Sequence, residues 1–308
     1  RLIRSLVADT RINHVLAVGW ESPDTALPFS HGKRLTYMKV DLTRARQVRE
    51  LLFGPARDLG VETVVHLASH RGVYREGRKV HALNVESLRS ILELADRHPS
   101  IRRFVYKSYA DVYKVSVELP ILVTEEHPIN MEPTAPQYIR DRVEADLTAC
   151  ARMGLIDCEI VVLRCAEALG PNTGSQLFDF LNAPVALRPA GFDPMVNVAT
   201  VSDIVRALEY ATHGSGEGVF NIPGYDTLPL AECVHKWGTA QLPVPGVFIR
   251  SLYTLRHRIT GSEFSYGLNR NRIHFGLVLD GTRAKEVLNY VPGNPVDWPV
   301  GGPIPTEL

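Results

Sequence analysis

The chain has 308 residues, 45% hydrophobic and 22% charged, with lysine plus arginine and aspartate plus glutamate balanced at 34 each. That balance leaves no global field to draw nucleic acid or an anionic membrane, and the length suits one large domain or two unequal ones. Four scattered cysteines, Cys150, Cys158, Cys165 and Cys233, show no C-x-x-C spacing, which argues against a disulfide framework or a metal site such as zinc and fits a reducing cytoplasm.

No run of about 18 apolar residues marks a transmembrane segment, and no signal peptide stands out. The opening residues, RLIRSLVAD, place Leu2, Leu6 and either Ile3 or Val7 on one helical stripe. A helix that starts uncapped at residue 1 is expected to continue from upstream sequence. Short apolar runs then alternate with helical patterns. HVLAVG (14–19), LTYMKV (35–40), VETVVHLA (61–68), IRRFVYKS (101–108) and CEIVVLR (158–164) read as buried strands, with helical segments at about 43–53, 76–97 and 136–153. The alternation predicts a parallel sheet covered on both faces, with ligands beyond the carboxyl ends of its strands. Chemistry is therefore expected at 19–21, 41–42, 67–72, 107–111 and 165–171.

Beyond Arg164 glycine and proline become frequent. VSDIVRALEYA (201–211) returns as an amphipathic helix, with Ser202 or Thr200 as its cap and Asp203 in its first turn. GVFNIPG (218–224) is a further strand and turn. VPGVFIRSLYTLRHRI (244–259), apolar with Arg250, Arg256 and Arg258, is read as a helix packed on its own domain with snorkelling arginines; an interfacial helix has the same composition.

The stretch TAPQYIRDRVEADL (134–147) is the chemically informative one. Thr134 and Gln137 read as a capping box, Pro136 sits in the tolerated first turn, and Ile139, Val143, Leu147 and Cys150 form the buried stripe. Tyr138 and Arg142, four apart, share the adjacent face. A phenol of pKa about 10 needs help to exchange a proton at neutral pH, and a neighbouring fixed cation favours its phenolate. The plain alternative is a solvated helix face that carries a tyrosine. Asn84 lies on the stripe of Leu88, Ile91 and Ala95 and needs a hydrogen-bonding partner, in the backbone or in positioning a loop or cofactor.

Taken in order, VVHLA, N-x-x-S-L-x-x-I-L-E-L-A, FVYKSYADVY, Y-x-x-x-R, LRCAEALGP, MVNVATVSDIVRAL, GVFNIPG and LDGTRAKEVLNYVP resemble the extended short-chain dehydrogenases, the NAD-dependent epimerase/dehydratase group, over nearly the whole chain. The resemblance implies an α/β fold. A Rossmann-like doubly wound parallel sheet would occupy residues 1–170 and about 196–213, and a smaller interleaved substrate domain about 171–195 and 214–308. It implies NAD as cofactor, with NADP left open. Asp41 and Leu42 would lie beside the adenine, Leu67, Ala68 and Ser69 along the ribose and diphosphate, and Asn84, Tyr138 and Arg142 toward the nicotinamide. Tyr138 is the implied general acid/base, Arg142 its cation, and Tyr109 stands where a serine or threonine polarises the substrate. The implied small-molecule substrates are nucleotide sugars, with steroid-like or other bulky alcohols as relatives. Relatives often form homodimers through helices corresponding to about 76–97 and 136–153.

Five departures from the family pattern bear on the site. The Gly-x-x-Gly-x-x-Gly turn that holds the diphosphate would end just before Arg1, so a fragment of a longer protein, with weak NAD binding, is expected. Gly19 takes the place of the acidic residue that binds the ribose hydroxyls, with Glu21 two residues late. Arg142, planar and larger, replaces the family lysine. Tyr109 replaces the serine or threonine, while Ser108 is expected to point to the other side of the strand. Glu167 stands where asparagine is frequent and would repel a diphosphate if it pointed inward. Two readings are weighed: an NAD(P)-dependent epimerase, dehydratase or dehydrogenase, an oxidoreductase or isomerase with an altered site; and a non-catalytic Rossmann protein that binds a nucleotide or a partner. A steroid- or lipid-directed dehydrogenase is a third.

Overall fold

Strands buried on both faces must be apolar throughout, and the runs named above become strands in a computed structural model that describes residues 1–26 and 33–299. Residues 300–308 of the last expected segment lie outside the described residues. The order begins α1 (Leu2–Ala8), β1 (Val15–Gly19), α2 (Pro23–Ala26), β2 (Leu35–Lys39), α3 (Ala45–Leu51), β3 (Thr63–His66), α4 (Arg78–His81), α5 (Ser87–Ala95) and β4 (Arg103–Tyr109). It continues with β5 (Leu122–Val123), α6 (Gln137–Cys150), β6 (Glu159–Cys165), β7 (Glu167–Leu169), α7 (Gln176–Leu181), β8 (Val185–Pro189) and β9 (Met195–Thr200). It closes with α8 (Val201–His213), β10 (Gly218–Ile222), β11 (Asp226–Pro229), α9 (Leu230–Trp237), β12 (Ala240–Val244), α10 (Gly246–Thr260), α11 (Tyr266–Phe275), β13 (Val278–Leu279) and α12 (Thr282–Leu288).

Strands β10, β6, β4 and β3 form one parallel sheet in that order, and β1 pairs in parallel with β2. Alternate residues of β4 and β6 enter different cores. Phe104, Tyr106, Ile160 and Val162 pack with Val48 of α3 and with Leu88, Ile91 and Leu92 of α5. Val105, Val161 and Leu163 pack with Ile204, Ala207 and Leu208 of α8 and Ala284 of α12. Helices thus cover both faces, the doubly wound arrangement. A mixed sheet of β11, β9 and β7, the parallel pair β12 and β8, and a separate apolar cluster around Trp237, Phe180 and Tyr253 account for much of the remainder. Strands β1 and β3 share no ladder, and both line a single cleft.

The boundaries differ from the expectation in two informative places. Thr134 is not the cap of α6: the helix begins at Gln137 after Pro136, with no side-chain cap bond. Gln137 instead accepts from the Gly77 amide at 2.8 Å, and its amide group donates to the Gly77 carbonyl at 3.2 Å. Gln137 thereby ties α6 to the loop before α4 instead of closing a box with Thr134. At α8 the cap is Thr200, whose hydroxyl accepts from the Asp203 amide at 3.0 Å.

One buried carboxylate joins β4, β6 and α6. Asp146 accepts from the Ser108 hydroxyl at 2.5 Å and from Arg164 at 2.6 and 3.1 Å, with no exposed surface of its own. Ser108 therefore points into the core on the α6 side, as alternation along the strand requires. Removing one member strands a buried charge. Asp146→Ala is expected to lower unfolding free energy by about 3–5 kcal/mol, read as a lower urea midpoint at unchanged slope.

Candidate active site

The cleft, about 2200 Å³, draws lining residues from all five segments in which chemistry is expected. Gly19 ends β1 and Trp20 and Glu21 follow it, Asp41 and Leu42 follow β2, and Leu67, Ala68, Ser69 and His70 follow β3. Lys107, Tyr109 and Asp111 come from the end of β4 and the turn after it, and Ala166 to Pro171 from the segment after β6. Arg142 reaches the cleft from α6. Tyr138 and Asn84 are not among the residues that line it.

Tyr109 occupies the most charged position. The Lys107 ammonium lies 3.5 Å from the centre of its ring and the Arg142 guanidinium 3.6 Å. The two-residue repeat of β4 puts Lys107 and Tyr109 on one side of the strand. Burial opposes ionisation of the phenol, but Lys107 and Arg142, with hydrogen bonds from Ser69 and Lys107, outweigh it and hold its pKa below the ordinary tyrosine value. Tyr138 behaves oppositely. Its ring also lies beneath Arg142, at 3.9 Å, yet the side chain is only 4% exposed and its hydroxyl donates to the Gly174 carbonyl at 3.4 Å. Burial drives its pKa well above the ordinary value against the pull of Arg142. The electrostatic help expected at Tyr138 is delivered at Tyr109.

The cations are held by carboxylates distant in sequence. Arg142 pairs with Asp111, and Arg272 of α11 bridges Asp111 and Glu167 at 2.6 Å each. Asp111 resists ionisation through burial, but Arg272 and Arg142 keep its pKa below the usual carboxylate range. Glu167 lines the cleft with its charge already engaged: besides Arg272 it accepts from the Ser175 hydroxyl and the Leu177 amide at 2.7 Å each. Arg142 lines the cleft while its Nε–H, buried, has no acceptor among the described residues.

Other candidates divide by what they touch. Asn84 sits in the π-helical turn Ala82–Glu86. Its carbonyl accepts from the His70 amide at 2.7 Å and its amide donates to Asp141 at 3.1 Å, so it positions the loop after β3. Asp41 accepts from the Thr43 amide and hydroxyl at 3.0 and 2.6 Å, which shapes the turn after β2. Gly19 has a steric reason: a Cβ there would run into the Tyr37 hydroxyl, which donates to the Glu21 carbonyl at 3.1 Å. An acidic side chain at position 19 therefore has no room while Tyr37 stays in place.

Lys107, Asp111 and Arg272 were not singled out from the sequence. The two-residue spacing of Lys107 and Tyr109 on a strand was a usable signal. Arg272, 161 residues from Asp111, carried none.

A parallel doubly wound sheet with a cleft beyond its strand ends defines a Rossmann-type α/β protein. The model of the NAD dependent epimerase/dehydratase family matches residues 2–186, and the chain belongs to that family. An uncharacterized protein of Mycobacterium tuberculosis (strain H37Rv) is 28% identical over 298 residues, covering 94% of this chain and 76% of its own length. Three solved structures share the fold. UDP-glucose 4-epimerase of Thermotoga maritima, with UDP-glucose, has a TM-score of 0.67 at 17% identity, over 94% of this chain and 89% of that one. The Bacillus cereus UDP-glucuronic acid 4-epimerase, in complex with UDP-glucuronic acid and NAD, has 0.68 at 16%, over 96% and 90%. dTDP-glucose 4,6-dehydratase of Bacillus anthracis, in complex with NAD, has 0.68 at 16%, over 95% and 87%.

Replacing Lys107 by methionine removes one of the two cations that favour the Tyr109 phenolate, so the phenol should titrate at higher pH. Ultraviolet titration, taken as the difference from a Tyr109→Phe variant, reads this directly; an unchanged midpoint would contradict the role given to Lys107.

Proposed function

We propose that the protein is an NAD-dependent enzyme of the epimerase/dehydratase type that acts on a hydroxyl-bearing carbon of a nucleotide sugar, with Tyr109 as the phenol that moves the proton. The observation that carries this reading is the position of Tyr109: on the cleft wall, beneath two cations, with its pKa held down. The cleft suits a dinucleotide. Asp41 and Leu42 would border the adenine, and Leu67, Ala68 and Ser69 the ribose and diphosphate. When bound, the nicotinamide supplies a hydride acceptor and donor.

The chain's own groups do the rest. Tyr109 as phenolate accepts the proton of the substrate hydroxyl and returns it on the reverse step. Lys107 and Arg142 stabilise the phenolate, and Ser69 orients its oxygen. Lys107, Arg142 and Arg272 balance Asp111, Glu167 and the Tyr109 phenolate, so the wall carries no net charge in the reactive state. NADP is compatible with the same wall, because no carboxylate projects from position 19 to repel a ribose phosphate.

The withdrawal of Tyr138 from the cleft supports a second reading, a dinucleotide-binding protein without turnover. One experiment separates the two. The protein is titrated with NAD and NADP by fluorescence, then mixed with UDP-glucose, UDP-glucuronic acid or dTDP-glucose while reduced cofactor is followed. Cofactor reduction that rises with pH as Tyr109 deprotonates, falls by about 10²–10⁴ in Tyr109→Phe and changes less in Tyr138→Phe supports the enzyme. Greater loss in Tyr138→Phe would return the proton to Tyr138. Binding with no reduction by any of these sugars favours the second reading.

A further inference from the structure

Helix α10 packs on its own domain, as expected for VPGVFIRSLYTLRHRI, but through one narrow face that leaves much of its apolar surface uncovered. Only Ile249 and Tyr253 are buried. Phe248, Leu252, Leu255 and Ile259 are 62%, 40%, 54% and 74% exposed. Their i, i+4, i+7, i+11 spacing places the four on one stripe covering roughly 60° of the helix circumference at 100° per residue. Val247 and, from the neighbouring β8 and β12, Val185 and Leu242 are exposed as well. Arg256 ties the helix to β8 by donating to the Val185 carbonyl at 2.9 Å, so the stripe continues onto that edge.

The charge around this stripe has one sign. From Cys233 to Ser262 the chain contains no aspartate or glutamate, while Arg250, Arg256 and Arg258 all lie on α10. Arg250 and Arg258 are exposed, and neither has a carboxylate partner among the described residues. Two copies meeting face to face across this helix would bring unpaired arginines together with no acid on the helix to answer them, which disfavours a second copy. At 100° per residue Arg256 and Arg258 fall roughly 70° and 90° to either side of the stripe centre, and Arg250 falls on the opposite face. A stripe flanked by two cations is instead complementary to a surface that offers acyl chains below anionic phosphates.

We propose that α10 is a membrane-surface anchor that lays Phe248, Leu252, Leu255 and Ile259 into the interface of an anionic lipid bilayer, with Arg258, beside the stripe, on its headgroup phosphates. The helix has 15 residues, about 22 Å at 1.5 Å per residue, too short for a hydrocarbon core of about 30 Å, so it lies in the plane of the surface. None of the residues that line the cleft comes from α10, so the anchor does not depend on the chemistry assigned to Tyr109.

The test needs neither cofactor nor sugar. The full chain is sedimented with vesicles of phosphatidylglycerol and phosphatidylcholine, or of phosphatidylcholine alone, at low and high salt, and its oligomeric state is measured without lipid. Co-sedimentation with the anionic vesicles, weakened by salt, reduced on the order of tenfold in Leu252→Ser/Leu255→Ser and about fivefold in Arg258→Gln, is the expected result. All three substituted side chains are exposed, so the thermal transition should hold in both variants and report that they remain folded. No binding to anionic vesicles, or equal binding by both variants, overturns the proposal. Self-association without lipid binding, lost in Leu252→Ser/Leu255→Ser, also overturns it and assigns the stripe to a second copy.

Discussion

A guanidinium held away from water needs partners for its charge, and the arrangement around Arg142 supplies them everywhere but at its Nε–H. Its charge is met by Asp111, while Tyr109 and Tyr138 offer their ring faces at 3.6 and 3.9 Å. Asp111 is buried in turn and recruits Arg272, which recruits Glu167, which accepts from Ser175 and Leu177. Each link is the cheapest answer to the desolvation of the one before it. The chain of pairs joins α6, the turn after β4, α11 and the start of α7, elements far apart in sequence. The altered residues Arg142, Glu167 and Tyr109 are in this respect parts of one network.

The same network explains why two tyrosines beneath one cation differ. The guanidinium is nearly equidistant from both rings, so proximity to Arg142 does not separate them. What separates them is the second cation and the surroundings of the oxygen. Tyr109 has Lys107 and Ser69 at the cleft wall, whereas Tyr138 is sealed against Gly174. Desolvation then wins at one phenol and loses at the other. A cation one helical turn away does not by itself make a phenol acidic; at Tyr109 a second cation and hydrogen bonds from Ser69 and Lys107 are needed to outweigh desolvation.

Most of the fold was legible because its signals are local. The five β-branched runs, the helical stripes between them and the cap of α8, one of the two residues Ser202 and Thr200, each rest on neighbours within a few residues. The runs appear within two residues of where the pattern put them and the helices within about three. The capping box at Thr134 failed for a tertiary reason: Gln137 has a better use bridging to Gly77. The candidate site was legible in outline, since strand ends converge wherever a parallel sheet is doubly wound. Its electrostatics were not. Arg272 reaches Asp111 through the fold alone, and nothing near position 272 announces it. The exposure of α10 was hidden for a related reason, because periodicity shows that a helix has an apolar face but not whether anything covers it.

Gly19 and Tyr37 occupy one volume between them, and that has a consequence for how this protein can change. A carboxylate introduced at position 19 collides with a phenol hydroxyl that is itself hydrogen-bonded to the backbone of Glu21. Trimming Tyr37 alone leaves that carbonyl without its donor and opens a hole beside β1. Neither substitution is expected to be tolerated well alone, while the pair made together fills the space and restores a polar group. The two positions are therefore coupled: a side chain at position 19 requires the Tyr37 phenol to give way.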